Sequence, residues 1–208
     1  GMPGAPLTEE EVQSIMQILS SDDSPPEYAV LSGSLPPNVD ESLYARITAS
    51  MPASTRVILD TSGSALQLGL ESPVFLIKPN LRELQQLSDR AIDNDSDVRN
   101  AARSLILDGK VQAVVTSLGA GGAVLTTEDK HEHFRPPTVE VRSKVGAGDS
   151  MVAGLTFALA ADKSIADAVR YGVASGAAAV MTGGTELCRQ KDCERIFQAM
   201  TNSTGPET

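Results

Sequence analysis

Apolar residues recur along the chain with two different spacings. Three short runs have the length and the aliphatic content of buried strands: YAVLSG (28–33), RVILDTSG (56–63) and PVFLIKPN (73–80). Each of these runs ends in small or polar residues. Between them, apolar residues return at the three- and four-residue spacing of helices. Strands that alternate with helices predict an α/β fold, in which a mainly parallel sheet carries helices on both faces.

Several helix starts are marked by capping residues. Thr8 and Glu11 form a capping-box pattern ahead of an apolar series at helical spacing. A further helix is expected over 41–50, Ser96 is predicted to cap the next one, and Ser164 is predicted to cap another in the last quarter of the chain.

The second half of the chain changes character after a glycine-rich turn. QAVVTSLGAGG (112–122) predicts a strand that runs into this turn, and GAVLTTED (122–129) with HEHFRPP (131–137) predicts an antiparallel pair. Beyond Gly148 the pattern is mostly helical. His131 and His133 share one face of their strand, and a solvated sheet edge explains them better than a metal site does, because no ligand cluster accompanies them.

Length and charge limit the class of protein. A chain of 208 residues suits one domain over 1–208, and a net charge of −10 argues against nucleic acid or an anionic membrane as the main partner. The apolar stretches are too short to span a bilayer. The only cysteines, Cys188 and Cys193, form neither a disulfide framework nor a zinc motif, which favours a reducing cytoplasm.

Small and polar residues gather where the predicted strands end. Carboxyl ends of parallel strands share one edge of a sheet, and ligands of α/β proteins bind at that edge. We therefore expect one ligand site there, built from five clusters: Ser32–Ser34, Asp60–Gly63, Lys78–Asn80, Ser117–Gly122 and Gly146–Asp149.

The string GAGD at 146–149 is suited to an anion at the start of a helix. Glycines allow close approach of the backbone, and the free amides of a first helical turn attract negative charge. Asp149 would then lie beside the group that accepts a phosphoryl, where a positioned carboxylate is enough for a loose transition state. Capping of the helix by Asp149 is an equally weighted alternative. Neither a Walker loop nor a dinucleotide GxGxxG fingerprint occurs in the chain.

The remaining clusters each allow a functional and a structural interpretation. Asn80 and Glu83 are spaced to reach Mg²⁺ through its waters, or to form a capping box. Lys78 is placed to neutralise phosphate, or to extend into solvent along apolar surface. The amides of 117–122 are able to wrap nucleotide phosphates, or simply to open a hairpin.

Taken together, these strings resemble the ribokinase-like carbohydrate kinases of the phosphofructokinase B (PfkB) family, in its sugar-phosphate kinase branch. The residues that carry the resemblance are LSGSLPP (31–37), LDTSGSAL (59–66), IKPNLRE (77–83), VVTSLGAGGAVL (114–125), VGAGDSMVAGL (145–155), VRYGVASGAAAV (169–180) and GGTELC (183–188). Their order and spacing cover nearly the whole chain.

The resemblance implies a three-layer α/β/α fold and ATP-dependent phosphorylation of a sugar phosphate, of the 6-phosphofructokinase or tagatose-6-phosphate kinase type, with Mg²⁺. It implies that Asp149 is the catalytic base and that Gly146, Ala147 and Gly148 form the anion hole. The other residues implied by family position are Asn80 and Glu83 for the metal, Lys78, Ser117, Gly119 and Gly122 for the nucleotide phosphates and ribose, Val180 and Thr182 beside the adenine, and Ser34 for the sugar.

The chain departs from the family pattern in two respects. Lys144 stands where the family usually has Thr, in the loop that binds a monovalent cation, so K⁺ as a cofactor is left open. The N-terminal strands, the sugar-gripping glycine pair and the β-sheet lid of the family have no counterpart ahead of Ser34. We therefore expect an N-terminally truncated fold with a bare sheet edge, which favours a homo-oligomer.

Three functions follow from these observations. The first is sugar-phosphate kinase, with this chain alone expected to be inactive because the lid that excludes water is missing. The second is a non-catalytic nucleotide-binding module or an assembly partner. The third is another ribokinase-like activity, on a nucleoside or a vitamin.

Overall fold

A computed structural model describes residues 4–20 and 25–202 of the chain. The chain divides into two compact units, Gly1–Val114 and Val115–Thr208. One domain over 1–208 stays a prediction.

The first unit contains a parallel sheet. Its strands are β1 (Tyr28–Ser32), β2 (Arg56–Asp60), β3 (Val74–Ile77) and the beginning of β4 (Val111–Ser117), in the order β1-β2-β3-β4. Ser32 lies opposite Asp60, and Leu59 lies opposite Ile77. The predicted strands and their parallel arrangement are confirmed for this unit.

The described residues of the first unit form five helices: α1 (Glu9–Ser20), α2 (Leu43–Ser50), α3 (Gly63–Gly69), α4 (Leu81–Ser88) and α5 (Asp95–Leu107). The capping box at α1 is present, because the N–H of Thr8 donates to Glu11 Oε2 at 2.7 Å and the N–H of Glu11 donates to Thr8 Oγ1 at 3.2 Å. The predicted cap Ser96 is wrong. Asn94 caps α5, because its side chain accepts the N–H of Asp97.

The middle strands of this sheet are covered on both faces. Ile58 and Leu59 are consecutive in β2 and point to opposite faces, yet both are fully buried. Leu76 and Ile77 repeat the pattern in β3. Strand β1 differs, since Val30 at its centre is 41% exposed and its hydrogen-bonded neighbour in the described part of the sheet is β2 alone. Among the described strands, β1 is therefore at an edge of the sheet.

In the second unit, the described residues after the end of β4 form an antiparallel hairpin and three helices. Its elements are a 3₁₀ turn (Gly119–Gly121), β5 (Ala123–Thr126), β6 (His131–Phe134), α6 (Ala147–Ala160), α7 (Ile165–Ala179) and α8 (Gln190–Asn202). The antiparallel pairing of β5 with β6 is confirmed. Ser164 caps α7 as predicted, accepting the N–H of Asp167 at 3.1 Å.

The helices fall short of what a membrane span requires. Within the described ranges, none combines the length and the apolar character needed to cross a bilayer.

Candidate functional site

In the first unit, the carboxyl ends of β1, β2 and β3 bring polar groups together. The N–H of Gly33 donates to the carbonyl oxygen of Asp60 at 3.0 Å, so β1 and β2 stay paired up to their last residues. The hydroxyl of Ser32 lies 3.4 Å from Asp60 Oδ2. Three of the predicted clusters, at Ser32–Ser34, Asp60–Gly63 and Lys78–Asn80, thus meet at one edge, as parallel strands require.

Lys78 ends β3 with its ammonium group against Asp60. The Nζ of Lys78 lies 3.0 Å from Asp60 Oδ1, and the two side chains are only 10% and 14% exposed. Lys78 therefore does not extend freely into solvent. A phosphate group that binds Lys78 has to share this ammonium with the Asp60 carboxylate.

The turn that leads to Ser34 is held by two hydroxyl groups. Tyr44 Oη donates to the carbonyl oxygens of Ser32 and Gly33 at 3.1 and 3.0 Å, and Thr61 Oγ1 donates to the same oxygen of Gly33 at 2.8 Å. Burial raises the pKa of Tyr44, and the nearby Asp60 charge adds to the shift. Gly33 has a φ of 96°, a conformation that favours glycine. Ser34 follows this fixed turn and is exposed.

Asn80 and Glu83 form a reciprocal capping box at the start of α4. The N–H of Glu83 donates to Asn80 Oδ1 at 3.0 Å, and the N–H of Asn80 donates to Glu83 Oε2 at 2.9 Å. The structural interpretation of this pair is confirmed. These contacts leave Oε1 of the Glu83 carboxylate for a further ligand, so the pair fits a Mg²⁺ ion bound through its water molecules.

In the second unit, α6 begins with an uncapped turn. Gly146 is its N-cap, with φ 74° and ψ 3°, and it has no side chain with which to bond the first amides. Ala147, Gly148 and Asp149 are the first three helical residues, whose N–H groups have no partner within the helix. The first turn thus offers amide donors and the positive end of the helix dipole to an anion.

Asp149 does not cap α6. It is the third helical residue, it is exposed, and its carboxylate accepts no hydrogen bond from any residue in the described ranges. A carboxylate in this position remains available to a ligand at the helix start.

The segment before α6 is anchored by Ser143. Its Oγ donates to the carbonyl oxygen of Gly184 at 2.9 Å and accepts the N–H of Val145 at 3.2 Å. The N–H groups of Arg142 and Ser143 donate to the carbonyl oxygen of Val180 at 2.7 and 3.2 Å. The backbone that precedes Gly146 is therefore tied to the end of α7.

A glycine of α7 lets the start of α6 pack closely. A Cβ at Gly176 would lie 3.1 Å from the carbonyl oxygen of Ala147, which is tighter than ordinary contact. One turn earlier, a Cβ at Gly172 would lie 2.7 Å from the carbonyl oxygen of Met151. These small residues set the position of the first turn of α6, and only the three-dimensional packing reveals this role.

Val180 and Thr182 contact the backbone in the described structure. Val180 is the C-cap residue that follows α7, and its carbonyl accepts the two amides of 142–143. Thr182 is buried, and its Oγ1 bonds the carbonyl oxygens of Ala179 and Glu186 at 2.8 and 2.7 Å. Both residues thus shape the turn after α7, and their place beside an adenine stays a prediction.

In the glycine turn after β4, most of the backbone hydrogen bonds are made within the turn itself. The N–H of Gly122 donates to the carbonyl oxygen of Gly119 at 3.1 Å, and the N–H of Leu118 donates to that of Gly122 at 2.8 Å. Gly122 is also required for space, since a Cβ there would lie 2.9 Å from Pro136 Cδ and would collide with the Phe134 carbonyl. The hairpin-entry role of this turn is therefore clear, and Ser117 stands directly before it.

The two histidines contact neighbouring groups of the hairpin. His131 Nδ1 lies 2.9 Å from Thr126 Oγ1, and His133 Nε2 lies 3.0 Å from the carbonyl oxygen of Gly121. Over residues 4–20 and 25–202, no three His, Cys, Asp or Glu side chains converge as candidate metal ligands.

Comparison with known proteins matches this chain to a known family. Residues 5–192 match the family model described as pfkB family carbohydrate kinase. ATP-dependent 6-phosphofructokinase isozyme 2 of Escherichia coli strain K12 is 41% identical over 199 residues, which make up 94% of this chain and 64% of that protein. The chain therefore spans less than two thirds of the length of this relative.

Solved structures give the same result for the fold. Phosphofructokinase-2 from Escherichia coli in complex with potassium matches with a TM-score of 0.90 and 37% identity, over 97% of this chain and 65% of that one. The tetrameric inhibited form of phosphofructokinase-2 from Escherichia coli matches with a TM-score of 0.86 and 36% identity, over the same shares. The predicted α/β fold is confirmed.

Proposed function

Because this chain belongs to the pfkB family of carbohydrate kinases, we propose that it carries the phosphoryl-transfer groups of an ATP-dependent sugar-phosphate kinase. The observation that carries the proposal is the start of α6, where an uncapped helical turn stands beside an exposed carboxylate without a hydrogen-bond partner in the described chain. Such a turn is suited to a phosphoryl group in transfer.

The amides of the first turn bind the migrating phosphoryl. Ala147, Gly148 and Asp149 present N–H groups that no side chain of Gly146 satisfies. Charge spreads over the phosphoryl oxygens in a loose transition state, so fixed donors stabilise that state more than the ground state. Gly176 keeps this turn in place through its close approach to Ala147.

Asp149 orients the hydroxyl that attacks. Its carboxylate accepts the hydrogen bond of the sugar hydroxyl and takes the proton late, after most of the bond to the leaving group has broken. A positioned general base of this kind contributes about 10²- to 10⁴-fold to the rate.

Lys78 and Asp60 are proposed to act on the phosphates of ATP. Asp60 holds the ammonium of Lys78 at the end of β3, at 3.0 Å. A lysine fixed in this way presents a point charge in a defined place, so less conformational freedom is lost when a phosphate binds.

Asn80 and Glu83 are proposed to hold Mg²⁺ through its waters. The ion, when bound, neutralises charge on the phosphates. The role of this chain is to fix the Glu83 carboxylate with the capping box, so that its free oxygen keeps one orientation toward those waters.

The nucleotide is proposed to lie along the turn of 117–122 and the end of α7. Ser117, Gly119 and Gly122 would face its phosphates and ribose, and Val180 and Thr182 would flank its adenine. A K⁺ ion near this segment is supported by the potassium complex of phosphofructokinase-2 from Escherichia coli. Lys144 is exposed in the loop before α6, next to the residues that bond the end of α7, so its ammonium is placed to supply part of the positive charge that K⁺ would bring.

The acceptor is proposed to be a ketohexose phosphate, with Ser34 on its hydroxyl groups. The name of the relative, ATP-dependent 6-phosphofructokinase, supports fructose 6-phosphate first, with tagatose 6-phosphate as the alternative. The tetrameric form of phosphofructokinase-2 and the open edge of β1 support a homo-oligomer. A cytoplasmic location is part of the proposal.

A second candidate is a nucleotide-binding module without turnover. The α6 turn and the 117–122 turn, which are proposed to contact the nucleotide, both belong to the second unit. Ser34, which is proposed to contact the sugar, belongs to the first unit, as do Lys78 and the Asn80–Glu83 pair. The second unit therefore carries nucleotide-binding groups without the group for the acceptor, which favours this candidate. Titration calorimetry with Mg-ATP and turnover with fructose 6-phosphate separate the two, when both are measured in a full-length pfkB-family chain into which this sequence is grafted. Nucleotide binding with turnover supports the kinase, binding without turnover supports the module, and phosphorylation of a nucleoside or vitamin in place of every sugar phosphate overturns both.

A further inference from the structure

The two cysteines of the chain occupy the two positions that hold the start of α8. The carbonyl oxygen of Arg189 accepts the N–H groups of Asp192 and Cys193 at 2.9 and 3.1 Å, so Arg189 is the N-cap residue. Cys188 therefore comes just before the cap, and Cys193 is the fourth residue of the helix. Side chains at these two positions pack against each other in the hydrophobic staple motif.

The helix start therefore places the two cysteine side chains as neighbours. Both Cys188 and Ser175 of α7 lie close enough to influence the thiol of Cys193. Cys193 is buried, at 3% exposure, whereas Cys188 is partly exposed. Burial, above all, raises the pKa of Cys193 to about 11, so the inner thiol stays protonated near neutral pH. Only Cys188 is open to a reagent from solution.

We propose that Cys188 and Cys193 form a reversible dithiol–disulfide pair, which a peroxide or a small-molecule disulfide oxidises. With hydrogen peroxide, the Cys188 thiolate attacks one oxygen, the O–O bond breaks, and hydroxide leaves to be protonated to water. The sulfur of Cys193 then attacks the sulfenic sulfur of Cys188. The S–S bond forms, the S–O bond breaks, and the oxygen leaves as water with the thiol proton of Cys193.

The electrons balance within this pair and its oxidant. The two sulfurs lose two electrons, the peroxide gains them, and two water molecules are the products. With a small-molecule disulfide, Cys188 first forms a mixed disulfide, and Cys193 displaces the small thiol from it. A reduced thiol such as glutathione or dithiothreitol reverses both routes.

Cys188 ends the segment 180–188 after α7, which is hydrogen-bonded to the residues that precede the α6 turn. Glu186 and Gly184, between α7 and Cys188, are bonded to Thr182 and Ser143 respectively. Ser143 in turn bonds the N–H of Val145, directly before Gly146. A disulfide at the start of α8 therefore restrains a segment that supports the proposed phosphoryl site, and this consequence rests on the proposed function.

Mass spectrometry of the 208-residue chain tests the pair without any assay of activity. The folded chain is incubated with hydrogen peroxide or with oxidised glutathione, denatured, alkylated with iodoacetamide and weighed intact. We expect a monomer that has lost two hydrogen atoms and carries no alkyl group, and that regains two alkylated cysteines after dithiothreitol. Peptide mapping should find Cys188 joined to Cys193.

Single serine variants show which thiol reacts first. In Cys193→Ser, we expect Cys188 to gain an oxygen atom or a glutathione and to form no internal bridge. In Cys188→Ser, Cys193 should stay unmodified until the chain is denatured. The proposal is overturned if wild-type chain keeps both thiols, if Cys188 alone is modified while Cys193 stays free, or if the disulfide joins two chains.

Discussion

The ammonium of Lys78 lies 3.0 Å from the carboxylate of Asp60, and both groups are nearly buried at the carboxyl edge of the parallel sheet. Removal of one partner from a buried pair leaves an uncompensated charge, which is far more destabilising than loss of an exposed pair. We expect Asp60→Asn to lower the free energy of unfolding by about 3 kcal/mol. Urea titration followed by circular dichroism measures this change.

An exposed ion pair of the same chain provides the control. Arg189 and Glu186 lie 3.1 Å apart with side chains 56% and 55% exposed, so Glu186→Gln should cost less than about 1 kcal/mol. If both variants lose the same free energy of unfolding, the buried Lys78–Asp60 pair stabilises the fold no more than an exposed pair does.

The reciprocal capping box of α4 gives a second prediction. Asn80→Ala removes the acceptor of the Glu83 amide, so the free energy of unfolding should fall by about 1 kcal/mol, whereas Asn80→Asp keeps the acceptor and should be nearly neutral. Ser62 is the matched control, because it is the N-cap of α3 and its side chain makes no capping bond. If Ser62→Ala destabilises the chain as much as Asn80→Ala, the capping box is not the cause.

The contact of Gly176 with Ala147 predicts that a single methyl group displaces the start of α6. A Cβ at Gly176 meets the Ala147 carbonyl oxygen at 3.1 Å, so in Gly176→Ala the first turn of α6 has to move by a few tenths of an ångström, which should weaken the binding of Mg-ATP. The free energy of unfolding should change by less than about 1 kcal/mol, because the gain in helix propensity offsets the crowding. Calorimetric titration with Mg-ATP and urea unfolding measure the two effects.

Gly183→Ala is the control for this substitution. A Cβ at Gly183 meets nothing within 4 Å, and its φ lies outside the positive range, so both quantities should stay unchanged. If Gly176→Ala binds Mg-ATP as tightly as wild type, Gly176 does not position the proposed phosphate-binding turn of α6.

Burial of Cys193 predicts a specific dependence of stability on pH. Its pKa rises from 9.0 to about 11 in the folded chain, so between these values the folded chain holds a proton that the unfolded chain has released. The stability that this thiol contributes is thus complete below pH 9 and is lost as the pH rises toward 11. Urea midpoints across this range should fall more steeply for wild type than for Cys193→Ala. Parallel pH profiles would contradict the burial of the thiol.

The sequence predicted the features that local physics decides. The capping boxes at Thr8 and Asn80 and the β-hairpin depend on residues close together in the chain, and they were read correctly. Helix α3 was not foreseen, since it is short and contains two glycines. The cap of α5 was misplaced by two residues, because Asn94 and Ser96 are both good caps and only the orientation of the chain selects Asn94.

Contacts between distant residues could not be predicted in the same way. Asp60 stood in a predicted cluster, but its ion pair with Lys78 depends on the register of β2 against β3. The support that Ser143 gives through Gly184 joins residues 41 positions apart. The role of Gly176 depends on the approach of two helices, which no pattern of apolar positions specifies.

The most direct measurement is the turnover of Asp149→Asn with fructose 6-phosphate and Mg-ATP, in a full-length pfkB-family chain into which this sequence is grafted. Asparagine keeps the size of the side chain but removes its basicity, so kcat should fall by about 10³-fold while calorimetric binding of Mg-ATP stays unchanged. Asp129→Asn, in the exposed turn between β5 and β6, should leave kcat as in wild type. Retention of kcat within about tenfold by Asp149→Asn would contradict the assignment of the carboxylate beside the α6 turn as the base.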